Sequence, residues 1–124
     1  MIHGPIISRE ASAPIGGYLI AAFSDAAASS KVGPATAATQ SLAGTTNSLG
    51  VSAAGGMVDL ERSGLPKVRL GGTAAAGDPL TSDAASKAVK ATVTGQRIIG
   101  FAEEPGLAED IIDYFAAPGS FEAL

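Results

Sequence analysis

The chain has 124 residues, of which 46% are hydrophobic, with 16 Gly, 7 Pro, four Phe, two Tyr and neither Trp nor Cys. Most of the apolar share is Ala, which buries little area, so a thin core, long loops and support from neighbouring subunits are expected. A net charge of −4 argues against nucleic-acid binding, which needs clustered Lys and Arg. The lack of Cys excludes disulfides and thiolate metal sites. The longest apolar run, residues 18–23, is far short of the roughly 18 residues of a membrane span.

Residues 1–16, MIHGPIISREASAPIG, show no clean period, and Pro5 and Pro14 oppose helix. Two readings stand: a frayed terminus, or an extended arm that orders on a partner through Ile2, Pro5, Ile6 and Ile7. No basic region precedes an apolar stretch, so a secretion signal is not expected.

From residue 17 the chain reads as one mainly β domain of short strands with little helix. Strands are expected at 17–23, weakly at 31–36, and at 47–52, 57–61 and 66–70. Residues 37–46 read as a loop or one short helix. Residues 69–83, RLGGTAAAGDPLTSD, form the joint on which the chain turns. Beyond it come strands starting at Leu80, over 87–94, over 97–102 and over 110–116. Pro105-Gly106 marks a turn, and Pro118-Gly119 is expected to end the last strand.

The two halves resemble each other. Asp25 followed by Lys31-Val32 matches Asp83 followed by Lys87-Ala88-Val89. Leu49-Gly50-Val51 matches Ile99-Gly100-Phe101, and Val58-Asp59-Leu60 matches Ile112-Asp113-Tyr114. The weak repeat gives units of about 17–64 and 77–119 joined by 65–76, and suggests a small barrel or sandwich. If Val58 and Leu60 face the core, so do Ile112 and Tyr114. The opposite face then carries Ile111 and Phe115, with Ile98 outside on its own strand. These three are candidate interface residues.

No catalytic constellation is visible. His3 is the only histidine and has no nucleophile placed beside it by any motif. Asp25, Asp78 and Asp83 lack EF-hand spacing. Glu103-Glu104 and Glu109-Asp110 flank a turn and read as a solvated tip. The glycine stretches 44–50 and 71–77 lack the Lys-Ser/Thr of a phosphate loop. No enzyme activity, metal or cofactor is expected, and a hydrolase or ligand-binding barrel would need a convergent polar pocket.

The segments GGTAAAGDPLTSDAASKAV, GQRIIGFAEEPG and DIIDYFAAPGS resemble the capsid cement, or head-decoration, proteins of tailed bacteriophages. The likeness covers residues 66–121 best. It extends to the large family once labelled a predicted RecA-type recombinase, a label that would demand a Walker motif absent here. It extends also to the lambdoid head-decoration proteins, whose ending Gly119-Ser120-Phe121 resembles. The resemblance implies a barrel- or tulip-like β fold and homotrimers on the outer surface of the capsid, made in the host cytoplasm and carried in the virion. It implies the major capsid protein as partner, with residues 1–14 as a capsid-binding arm. The alternative is a head-surface adhesin or display module, such as a fibre base, that binds the capsid without strengthening it.

Overall fold

The computed structural model describes residues 6–24, 31–47, 50, 53–61 and 65–121. Among these described residues there are ten strands and no helix. The strands are β1 (Ile6–Ala11), β2 (Ile20–Phe23), β3 (Lys31–Pro34), β4 (Leu42–Thr46), β5 (Met57–Glu61), β6 (Lys67–Arg69), β7 (Pro79–Ser82), β8 (Ala88–Lys90), β9 (Arg97–Ala102) and β10 (Ile111–Ser120). The first five close into a barrel in the order β1-β3-β2-β4-β5, and the rest form a sheet in the order β6-β10-β9-β7-β8.

The two sheets are the same motif built twice. In the first, β2 pairs with β3 and with β4, β4 with β5, β5 with β1, and β1 runs parallel to β3. In the second, β7 pairs with β8 and β9, β9 with β10, β10 with β6, and a parallel bridge from Leu70 to Ala88 draws β6 back to β8. Registers agree residue by residue. Thr45 faces Glu61 and Thr46 faces Leu60; Phe101 faces Phe115 and Ala102 faces Tyr114. Ala21 faces Gly44 as Leu80 faces Gly100.

The cores repeat as well. Ala11, Ile15, Ala21, Val32, Ala43, Val58 and Leu60 fill the barrel. Leu70, Ala74, Leu80, Ala88, Ile99, Ile112 and Tyr114 stand at the corresponding positions of the second unit. At five of these seven positions the second set has the larger side chain, so that unit holds more of the apolar burial that offsets chain entropy. Ile20, Ala22 and Ala35 of the first unit pack into the second core, and the units are joined by Ile20 N to Ser86 O, Arg69 N to Tyr18 O and Arg97 N to Ala38 O hydrogen bonds.

Val58, Leu60, Ile112 and Tyr114 are all buried, as the alternation of β5 and β10 requires. Several sequence expectations give way. Residues 6–11 are not an arm: they are a barrel stave, with the backbones of Ile6 and Ile7 opposite Glu61 and Leu60. Each unit therefore starts one strand earlier than the sequence repeat suggested, at β1 and β6. Residues 42–46 form β4, where small side chains suit a strand crowded between two units. Gly44, not Gly50, corresponds to Gly100. Asn47 and Gly50 lie outside any strand, and the remainder of 47–52 lies outside the described residues. Finally, β10 runs through Pro118-Gly119. Its register with β9 shifts between Ala116 and Gly119 and pairing resumes at Gly119 and Ser120, a bulge being a place where a strand tolerates Pro.

Candidate interaction surface

The second sheet has one face inside and one outside. On the outer face Phe115 of β10 lies directly across from Phe101 of β9, and Phe101 across from Pro79 of β7. On the other side of β10, Asp113 faces Lys67, and Tyr114 N donates to Pro66 O one step further along. The chain thus still runs beside β10 at Pro66. The result is a row Phe115–Phe101–Pro79 crossing three strands, with Leu65 just before Pro66 at its β10 edge. Leu65, Phe115 and Phe101 are 57%, 53% and 39% exposed. Ile111, on the same face of β10 and opposite Arg69, is 37% exposed.

Charge borders this row. Lys67 Nζ donates to Asp113 Oδ1 at 2.7 Å, and that bond together with the carboxylate charge raises the lysine's pKa above its ordinary value. Both side chains are open to solvent, so the pair fixes orientation more than it adds stability. Beside Leu65 opens a groove of about 240 Å³ lined by Tyr18, Asn47, Glu61, Leu65, Pro66 and Lys67.

The structure places the sequence-derived candidates as follows. Ile111 and Phe115 stand on the exposed face. Ile98 does not: it is buried. Arg97 N donates to Ala38 O, which brings the start of β9 against the first unit. Ile98 there lines, with Leu42, Gly44, Ile99 and Tyr114, a cavity of about 30 Å³ between the units, room for one water and far below a ligand site. Ile6 and Ile7 belong to β1, while Ile2 and Pro5 lie outside the described residues.

Phe101 and Leu65 are exposed without being marked by the strand pattern. Simple alternation pairs Phe101 with Ile99 and buries both. Yet Ile99 and Ala102 share the inner cluster, an odd spacing, because Gly100 at φ +156° shifts the phase and turns Phe101 outward. The signal was the glycine in the middle of RIIGFA, since a Gly inside a strand marks a bulge or a close backbone approach. A Cβ on Gly100 would overlap the Phe115 carbonyl oxygen.

Asp78, Asp83 and Asp110 hold turns with their carboxylates, while Asp25 and His3 lie outside the described residues. Asp78 Oδ2 accepts from Ala75 N, Asp110 Oδ2 from Leu107 N, and Asp83 Oδ1 from Ala85 N and Lys87 N. Glu109 pairs with Lys87 at 2.6 Å. No group of His, Asp and Glu able to hold a metal occurs among the described residues.

The chain matches no protein-family model, and no curated relative matches it. Among solved structures it is similar to the N-terminal base of head fibre gp8.5 of bacteriophage phi29. The TM-score is 0.72 at 16% sequence identity, over 96% of this chain and 98% of that one. The shared architecture is the fold itself, since so low an identity speaks to fold alone.

Proposed function

We propose that the chain is a non-enzymatic structural protein of a tailed bacteriophage, seated on the outer surface of the head. The observation that carries this is the near end-to-end likeness to a base domain of a phage head fibre. It stands beside the motif resemblance of residues 66–121 to head-decoration proteins. The exposed apolar row on the second sheet adds a surface suited to binding rather than to chemistry.

The partner is the major capsid protein, and the chain acts as an oligomer, a homotrimer by the resemblance. As a cement, such an oligomer strengthens the shell by binding the expanded lattice better than its precursor. Engaging several capsid subunits at once raises effective concentration, so each contact can be modest. The display reading, in which the chain anchors a further module without strengthening the head, is favoured by the fibre-base neighbour.

The test mixes the protein with expanded, undecorated heads, sediments them and follows thermal rupture. Co-sedimentation with delayed rupture supports the cement role. Co-sedimentation with unchanged rupture supports display. No co-sedimentation sinks both. Deleting residues 1–5 in the same assay asks whether the segment before β1 contributes to the contact.

A further inference from the structure

We infer that the outer face of the second unit, centred on Phe101 and Phe115, is the seam through which the protein binds a second copy of itself. The inference rests on the self-associating reading proposed above and assigns that association to a surface.

The repeat supplies the argument. In the first unit the row Ile20–Thr45–Glu61 stands where Pro79–Phe101–Phe115 stands in the second. The first two positions of that row are covered, while Glu61 at its end is half-buried and lines the open groove. Ile20 and Thr45 are fully buried, Ile20 joins the core of the second unit, and Thr45 Oγ1 lies 2.9 Å from Tyr114 Oη. Its occupant is a unit of this same fold. The second row has no third unit to cover it, yet it has become more apolar, with Phe in place of Thr and Glu. A face that takes a unit of this fold inside the chain is repeated, greased and open at the chain's other end.

Contacts across the internal interface are not reciprocal. Thr45 meets Tyr114, while Phe101, the counterpart of Thr45, is open. The Lys67–Asp113 pair and Arg69 beside the row supply polar groups for its rim.

The experiment is sedimentation velocity on the full chain at about 100 μM, where a contact of micromolar affinity is saturated. The wild type should run at a multiple of the 12.2 kDa chain mass. The variant F101T/F115E, which installs the residue types of the first unit, should fall to the mass of one chain. L107S, which removes an exposed Leu away from the row, should keep the wild-type mass. Should F101T/F115E lose its β-sheet circular dichroism, I111K on the same face decides instead. A wild type that is monomeric at this concentration overturns the assignment, and so does assembly that survives the face variants. Head co-sedimentation is read separately. A monomeric variant that still binds undecorated heads supports the seam, and an oligomer that binds no heads keeps the seam while removing the head reading.

Discussion

Thr45 Oγ1 and Tyr114 Oη meet at 2.9 Å in the buried interface between the two units. Both side chains are buried, so each needs a partner. Tyr114→Phe leaves the Thr45 hydroxyl without this partner and is expected to cost about 1–3 kcal/mol. Adding Thr45→Val, which removes the stranded group at similar shape, should recover part of that loss. Urea denaturation of the wild type, both single variants and the double variant closes the cycle. Additive losses would show that the pair is not coupled.

The same tyrosine makes stability fall in alkali. Burial pushes the Tyr114 phenol far above its ordinary value, a shift the Thr45 hydrogen bond only partly offsets. Unfolded, it ionises near pH 10; folded, it stays protonated. Above about pH 10 the unfolded state therefore holds fewer protons, and stability should drop by up to about 1.4 kcal/mol per pH unit from this group. Below pH 10 both states are protonated and the effect vanishes. Urea midpoints between pH 9 and pH 11.5 should show the decline in the wild type and a shallower one in Tyr114→Phe.

Gly100 and Gly77 separate two demands that glycine meets. Gly77, at φ +89°, has open space where a Cβ would go, whereas at Gly100 the backbone of Phe115 and Ala117 stands in the way. Gly77→Ala should cost about 1 kcal/mol, for backbone conformation alone. Gly100→Ala should exceed about 3 kcal/mol, because the β9–β10 pairing must move as well. Thermal unfolding of both variants checks the order, and equal losses would refute the steric account.

Gln40 and Gln96 are counterparts in the two units. Gln40 Oε1 accepts from Thr36 N and Ala37 N, and Gln96 Oε1 from Thr92 N and Val93 N. Each Gln→Leu change should cost about 1 kcal/mol, since these exposed amides can turn partly to water. Combined in one chain, the two losses should add, because the turns share no partner.

Those glutamines also show what was legible. Ala35-Thr36 with Gln40 and Ala91-Thr92 with Gln96 spell the same A-T-x-x-x-Q turn, a stronger sign of the repeat than the glycines used to align it. The alternation of Met57–Glu61 was enough to place its faces, because one side is core and the other is not. β4 was opaque: Leu42–Thr46 is buried on both sides, so alternation disappears and its small residues look like loop. β1 was opaque because closure of a barrel depends on distant pairing with β5, which no local period reports. On the candidate surface, Phe115 and Ile111 followed from a strand with one wet face, Phe101 was hidden by the phase shift at Gly100, and Ile98 was misplaced because the first unit covers what would otherwise be the outside of its strand.

The corresponding staves β1 and β6 are not interchangeable. Arg9 faces Val58 at the position where Val68 faces Ile112, and Val68 is fully buried. If β1 were laid into the slot of β6, an arginine would have to enter the second core, at a cost no apolar contact there could recover. A chain made of two copies of one motif risks exchanging its parts during folding, within one molecule or between two. Arg9 thus sets the two staves apart: the first barrel has a place for its charge, and the slot of Val68 has none.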